Sequence, residues 1–336
     1  MSKRLLAVGC MAVLAAAPPA PAQEVRPVRI ALRPAAAPTP ALRYRLLPAL
    51  VEKAPGNAVE HYRKAVEALS RARKAAGEND STKRVSGWLD LTPAELPRDA
   101  VRKFLADYDE VFPHLDRAAR CGHCDWGLTE LARQQRYALL AENQSLHELA
   151  GFLALRVRLA AAEGHTDEAL RTLRTGFAFA RHVGESPSVA GCLAGVEVAA
   201  AMIRELELLL SQPKAPNLYW ALADLPRPFL DIRKPLEGER VAAYALFPGL
   251  RESANDPNAG ALSPEQVQAG VDALFTFDIP KTYPMRAGLS LWVRRKHDGS
   301  KAALVAAGRP RAKVEQMPHM EVALLHAMQQ YDRLLD

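Results

Sequence analysis

The sequence predicts an all-α protein built as an irregular array of antiparallel helical hairpins, with an extended Pro-rich N-terminal segment. Apolar residues recur every three to four positions in most segments, as Val59, Tyr62, Val66 and Leu69 do. That spacing places them on one face of a helix. No stretch alternates polar and apolar residues cleanly over six positions, and β-branched residues are few, so strands are not predicted.

Residues 1–22 have the composition of a signal peptide. Lys3 and Arg4 precede an apolar run over 5–17, and the small residues ending at Ala22 suit cleavage after that position. The apolar run is shorter than the roughly 20 residues that a membrane-spanning helix needs. We therefore expect an exported chain, periplasmic or secreted, that is not an integral membrane protein after cleavage.

The mature chain divides by composition into three parts. Residues 23–41 form a Pro/Ala-rich tether, in which the four prolines block a regular helix. Residues 42–212 are predicted as an N-terminal helical hairpin domain, and residues 213–336 as a C-terminal helical subdomain. The many prolines between 213 and 257 indicate a junction between the two.

Local signals predict where the helices of the N-terminal domain begin. Asn57 is placed to cap a helix over 57–73. Thr92 and Glu95 have the spacing of a capping box ahead of the next helix. Pro113 is expected to kink or restart that helix.

Three longer helices are predicted next. Residues 128–164 form one long helix or two abutting ones, which Gly164 ends. Thr166 is expected to cap the following helix, and Ser186 with Pro187 opens a third that continues through Leu210. The hairpin around Gly164 resembles a tetratricopeptide unit in part, but no second copy follows at the spacing of that repeat.

The C-terminal subdomain carries a basic face. Ser263 and Gln266 have a capping signature, and a last helix runs from about Pro318. Between 281 and 313 nine basic residues are opposed by one acidic residue, and Arg294, Arg295 and Lys296 are consecutive. Such a face suits phosphate, a lipid head group or an anionic polymer of the envelope, or is a solvated surface opposite an acidic patch. Export and the scarcity of aromatic residues in the segment disfavour nucleic acid.

The motif with most chemical potential is RAARCGHCDWGL at 117–128. A structural zinc site needs four ligands, and a thioredoxin-type pair needs a βαβ unit, and neither is indicated. A disulfide between Cys121 and Cys124 is an alternative in an oxidising compartment. The favoured interpretation is packing at a helix end, with Trp126 in the core, Asp125 as a cap and Arg120 paired with an acid. Arg120, His123, Asp125 and Trp126 are the candidate binding residues, and no metal or cofactor is expected.

Other catalytic signatures are incomplete. The sequence HELAG at 147–151 lacks the second histidine of a zinc-protease helix. Glu237 and Arg240 have the spacing of an intrahelical ion pair and are further binding candidates. Glu237 and Glu239 would act as an acid/base pair only if a cleft brought them together. No catalytic residue is assigned.

Several longer motifs carry a resemblance to a known family. RYRLLPAL, PGNAVEHYRKA, HCDWGL, EALRTLRTGFAFARHVGE and PNLYWALADLPRPFLDIRKPLEGER are similar to segments of exported helical proteins from large-genome, compartmented bacteria. The function of that family is unknown, so the resemblance implies export and assigns no activity. Cys121 departs from that family's pattern, in which charged residues precede the HCDW unit. The family's pattern continues beyond the segment that corresponds to QQYDRLLD at 329–336.

Two functions from different classes follow. The first is an exported, non-catalytic helical scaffold or interaction protein of the bacterial envelope. The alternative is an envelope enzyme of unrecognised type that acts on an anionic polymer, with His123, Asp125 and Glu237 in its site. Convergence of these three side chains in one pocket would favour the enzyme.

Overall fold

The computed structural model describes residues 44–77, 81–127, 139–212, 215–247, 249–276 and 283–335. The predicted signal peptide and tether lie outside these ranges. Within the described residues, no helix combines the length and the apolar character that crossing a membrane requires.

The first half of the structure begins with a short 3₁₀ turn and contains two short strands. Its elements are the turn Leu50–Glu52, β1 (Ala54–Asn57), α1 (Ala58–Ala75), α2 (Ser81–Leu89), α3 (Arg98–Asp107), α4 (Val111–Arg120) and β2 (Cys121–His123).

Ten further helices complete the described chain, which is mostly helical, as predicted. They are α5 (Leu139–Ala162), α6 (Thr166–Gly184), α7 (Val189–Leu210), α8 (Tyr219–Ala223), α9 (Arg233–Leu246), α10 (Leu250–Asn255), α11 (Pro264–Thr276), α12 (Tyr283–Ala306), α13 (Arg311–Gln316) and α14 (His319–Leu335).

A two-stranded parallel sheet is the feature that the sequence did not predict. Strand β1 pairs with β2, with Ala54 opposite Cys121 and Asn57 opposite His123. Strands of four and three residues are too short to show an alternating pattern. They meet because α1 leaves the end of β1 while α4, packed against α1, delivers the chain to the start of β2.

Helix α1 forms as its sequence predicts. The Asn57 side chain accepts a hydrogen bond from Val59 N at 3.3 Å, which satisfies a backbone donor that the first turn of a helix leaves free. Val59, Tyr62 and Leu69 are buried along one face, and Val66 is half-buried. The predicted cap and the predicted apolar stripe are both confirmed.

Two other predicted helix starts are wrong in detail. Glu95 accepts hydrogen bonds from the Thr92 amide and hydroxyl, at 3.0 and 2.7 Å, but this closes an isolated turn. Helix α3 begins only at Arg98, after Pro97, whose ring disfavours helical backbone at the residue before it. Thr166 is the first residue inside α6 and not its cap, which is His165.

Helices α5, α6 and α7 pack together so that each contacts the other two, and helices adjacent in sequence run antiparallel. Gly164, with φ +77°, lies in the turn between α5 and α6, where the sequence predicts that the helix ends. Helices α6 and α7 approach closely where Gly195 faces the last turn of α6. A Cβ atom on Gly195 would lie 2.4 Å from Gly184 Cα and 2.8 Å from Ala180 O. The glycine therefore sets the spacing of these two helices.

The structure has two hydrophobic cores. The first includes the aromatic cluster of Phe104, Tyr108 and Phe152, with ring centroids 4.7–5.5 Å apart. It extends to Phe229, which packs at its edge. The second core is built by α9 to α14, begins at Leu236, and also takes in one residue of α7, Val189.

The two cores meet where α9 crosses the start of α7. Glu239 Oε1 accepts a hydrogen bond from Val189 N at 2.9 Å. A Cβ atom on Gly238 would lie 1.9 Å from Pro187 O, so this crossing also needs a glycine. The Glu239 carboxylate, on a helix of the second core, thus caps the N-terminus of α7, most of which packs in the first core.

A buried carboxylate organises the second core. Glu321 is fully buried and accepts hydrogen bonds from Ser253 Oγ at 2.7 Å and Leu262 N at 2.8 Å. Arg309 is also buried, and its guanidinium donates to the backbone carbonyls of Ser253 and Ala254. Arg309 therefore belongs to the interior and does not contribute to the predicted basic face.

The glycine contact between α6 and α7 predicts opposite effects for two Gly→Ala substitutions. Gly195→Ala forces backbone apart and is expected to lower the free energy of unfolding by about 1–3 kcal/mol. Gly87→Ala, on exposed α2 with no atom near its Cβ position, is expected to raise it by about 0.5–1 kcal/mol. Urea denaturation followed by circular dichroism measures both, and a neutral Gly195→Ala would contradict the close contact.

Candidate functional site

The HCDW segment docks on α6 through the backbone carbonyl of His182. Trp126 Nε1 donates to this oxygen at 2.8 Å, and Cys124 Sγ donates to it at 3.6 Å. The His182 ring faces α1, where its Nδ1 lies 2.8 Å from the hydroxyl of Tyr62. Helix α6 thus holds the segment and α1 together at its C-terminal end.

Aromatic packing and one asparagine complete this junction. The rings of Tyr62 and Trp126 stack with centroids 6.0 Å apart, and Phe179 packs on Tyr62 at 4.8 Å. The Asn57 side chain, besides capping α1, accepts from Asp125 N at 2.9 Å and donates to Asp125 O at 2.8 Å. We call the group of Asn57, Tyr62, Trp126 and His182 the Trp126 junction.

The titratable groups of the Trp126 junction are held neutral. Burial, assisted by the positive charges of Arg181 and Lys53, lowers the pKa of His182 to about 4. Burial raises the pKa of the Cys124 thiol and that of the Tyr62 hydroxyl well above their ordinary values. A protonated thiol is a poor nucleophile and metal ligand, so this arrangement stabilises packing and does not activate cysteine.

The cysteines of the described chain are free thiols. Cys121 and Cys192 are buried and Cys124 is half-buried. Among the described residues, no three His, Cys, Asp or Glu side chains are grouped as a metal site requires. The disulfide between Cys121 and Cys124 stays a prediction.

The other candidates in this motif separate into buried and exposed residues. Trp126 is 3% exposed and lies in the first core, as predicted. His123 is exposed. Asp125, also exposed, accepts a hydrogen bond from Gly127 N at 2.8 Å, and the helix that it was expected to cap falls outside the described residues. Arg120 donates from Nε to the backbone carbonyl of Asp116 at 3.3 Å, and it forms no ion pair with a carboxylate of the described residues.

The two glutamates of α9 have different surroundings. Glu237 is exposed, whereas Glu239 is half-buried against α7, and burial raises its pKa. Within the described ranges, no hydrogen bond or ion pair joins Glu237 to His123 or to Asp125. Arg240 is half-buried on the same helix. The conditional acid/base pair of Glu237 and Glu239 therefore gains no support.

A cleft that the sequence did not predict lies between α2, α5 and α7. Its volume is about 650 Å³. Its lining combines small apolar residues with charged ones: Ser86, Leu89, Asp90, His147, Ala150, Gly151, Ala154, Arg158, Glu197, Val198, Ala200, Ala201, Arg204 and Glu205. We call it the α2–α5–α7 cleft.

A buried ion pair lines the inner side of the cleft. Arg158 Nε and Nη2 donate to the two carboxylate oxygens of Glu205, at 3.0 and 2.5 Å. Arg158 Nη1 donates to the carbonyls of Leu89 and Leu91, at 2.5 and 2.6 Å, where α2 ends. One guanidinium thus joins all three helices. Burial raises the pKa of Glu205, and Arg158 opposes that rise.

The outer edge of the cleft carries opposite charges. His147 Nε2 lies 3.1 Å from Glu197 Oε2, both largely exposed, so the HELAG histidine forms a surface pair across α5 and α7. Its sequence neighbour Glu148 is instead buried and bound by Arg73 at 2.5 Å. Arg204 lies further along the same edge of α7.

An apolar stripe follows the solvent face of α7 beside the cleft. Leu193, Val196 and Ile203 are 46%, 47% and 46% exposed, and Ala200, half-buried, lies between them. Their spacing of three to four residues places them in one row, which we call the α7 stripe. The sequence could have indicated this stripe. Apolar residues surround the helix over 189–203, whereas packing against one core requires them on one face only.

Comparison with protein-family models, with curated proteins and with solved structures finds no match for this chain.

The Trp126 junction predicts a loss of stability in acid. The unfolded His182 binds a proton near pH 6.5 but the folded one only near pH 4, so stability falls as pH is lowered between these values. The loss from this residue is expected to approach about 3 kcal/mol. His182→Gln should flatten this part of the pH dependence in urea denaturation, whereas exposed His123→Gln should leave it unchanged. Equal slopes in wild type and His182→Gln would contradict the assignment.

The buried ion pair predicts a second large effect. Arg158→Met leaves the Glu205 carboxylate buried without its counter-ion and is expected to cost about 3–5 kcal/mol of unfolding free energy. Arg204→Met removes an exposed charge from the same cleft and is expected to change stability by less than about 0.5 kcal/mol. Similar losses for both variants in chemical denaturation would refute a structural role specific to Arg158.

Proposed function

We propose that this chain is an exported, non-catalytic helical interaction protein that binds an amphipathic peptide segment of a partner protein in the α2–α5–α7 cleft. The observation that carries the proposal is the cleft beside the α7 stripe. Export is proposed from the charge and apolar pattern of residues 1–22, and the periplasm or the exterior of a bacterial cell is the proposed location.

The arrangement of α5, α6 and α7 supports an interaction protein of tetratricopeptide-like geometry. Consecutive helices run antiparallel, so α5 and α7 are parallel and contact each other directly. His147 lies opposite Glu197, and Arg158 opposite Glu205, which follows from that parallel alignment. Stacked helical hairpins present surfaces of this kind to extended or helical ligands.

The chemistry of the cleft defines the ligand that would fit. The α7 stripe offers apolar contact area, and isolated exposed apolar side chains become significant when they form a continuous patch. Glu197 and Arg204 on either side of Ala200 place both signs of charge beside the stripe. A peptide with an apolar face bordered by Lys or Arg and by Asp or Glu matches this pattern.

The alternative, an envelope enzyme acting on an anionic polymer, receives less support. His123 is the last residue of β2 and Asp125 follows it, while Glu237 lies on α9 at the second core. At the Trp126 junction, the His182 imidazole and the neighbouring Cys124 thiol, the residue types that most often act in catalysis, are held in their neutral forms. A catalytic pocket needs residues that share a cavity and exchange protons near neutral pH.

The proposal is tested with a matched pair of variants. Peptides selected from a random displayed library on the purified chain are expected to lose at least about tenfold in affinity for Ile203→Glu, because a buried carboxylate is desolvated without a partner. Val241→Glu, at a residue 50% exposed on α9, introduces the same charge away from the cleft and is expected to bind as the wild type does.

Fluorescence anisotropy with the selected peptides measures both affinities, and circular dichroism shows that each variant is folded. Failure to select any peptide, or equal binding by Ile203→Glu and wild type, would overturn the proposal.

A further inference from the structure

A cluster of basic side chains lies on one face of α12, far along the chain from the cleft. Arg294, His297 and Lys301 are spaced by three and four residues and so share that face. His319, from the start of α14, packs on it with its ring centroid 3.8 Å from that of His297. Asp298 is the acidic residue among them, and its side chain points to solvent.

The two histidines differ in burial. The His297 side chain is 13% exposed, its Nδ1 lies 3.2 Å from Asp298 Oδ1, and its Nε2 is buried without a hydrogen-bond partner. His319 covers it and is itself exposed. Lys301 and Arg294 are permanent cations that disfavour the protonated form of the exposed His319 ring, and a bound anion would offset them.

The geometry points to an oxyanion site, in which Arg294, Lys301 and protonated His319 bind a sulfate- or phosphate-type group, with His297 as the buried support of His319. The excess of positive charge in the cluster excludes a divalent cation and attracts an anion. The site lies on the second core, and it does not depend on the proposed peptide cleft.

Proton uptake distinguishes this site from a diffuse basic surface. The charged groups that act on His319 from the elements around it are His297, Lys301, Arg294 and Asp298. Partial burial and then the three cationic neighbours lower its pKa, and Asp298 opposes them. A bound anion reverses the balance, so binding raises the pKa of His319 and the affinity for the anion increases as pH falls.

The neighbouring basic residues provide the matched control. Arg295 is exposed but lies one position from Arg294, about a quarter-turn around the helix and off the face of His297. Lys296 is half-buried and acts on His326, not on His319. Of the three consecutive basic residues predicted to bind a polymer, the structure therefore assigns the oxyanion site to Arg294.

Isothermal titration calorimetry of the full chain with sodium sulfate tests the site, because sulfate keeps its charge between pH 5.5 and pH 8. Wild type is expected to bind at least about fivefold more tightly at pH 5.5 than at pH 8, with proton uptake that shows as a buffer-dependent enthalpy. Arg294→Gln and Lys301→Gln should weaken binding severalfold at pH 5.5. His319→Asn should remove the pH dependence, and Arg295→Gln should bind as wild type does.

A parallel titration with heparin separates two sources of the same chemistry. If heparin binds much more tightly than sulfate and the variants rank in the same order of affinity, the ligand is a polymer-borne group. If the affinity per sulfate group is comparable for heparin and free sulfate, the ligand is a free oxyanion. Absence of saturable binding, affinity that does not change with pH, or equal weakening by Arg294→Gln and Arg295→Gln would overturn the site.

Discussion

The ion pair of Arg158 and Glu205 is the interaction on which the geometry of the first core depends. A charge cannot be buried without a partner except at a cost of several kcal/mol, so the two side chains constrain the helices that carry them. The guanidinium also donates hydrogen bonds to the carbonyls of Leu89 and Leu91 at the end of α2. Carbonyls at a helix end have no donor within the helix, so Arg158 supplies one. Three helices are therefore joined by the guanidinium of one side chain, and the cleft between them has a defined shape.

Neutral groups have the complementary role at the C-terminal end of α6. At the Trp126 junction, Tyr62 and His182 are packed beside the Cys124 thiol so that none of the three carries charge at neutral pH. The cysteines, the tryptophan and the histidine of this region look like chemistry in the sequence, but they contribute packing and hydrogen bonds to a helix end. The two ligand sites that we propose lie instead on surfaces formed by α7 and α12.

How far the sequence predicts this structure depends on the range of each interaction. Caps such as Asn57 and Ser263 act within a few residues, and their predictions are confirmed. The pairing of β1 with β2 joins residues more than 60 positions apart, and nothing local marks it. The partners of Arg158 and His147 lie about 50 residues further along the chain, so neither the buried pair nor the cleft could be read from spacing. A capping pattern alone also misplaced α3, because Pro97 delays the helical backbone.

Helix α7 belongs to both cores, since Val189 at its first turn packs with the second and Leu209 at its last packs with the first. Its two ends are therefore packed in different halves of the molecule. Separating the halves would remove the Glu239 hydrogen bond from Val189 N and the contact of Gly238 with Pro187, both at the first turn of α7. The N-terminal turn of α7 thereby couples the packing of one half to that of the other.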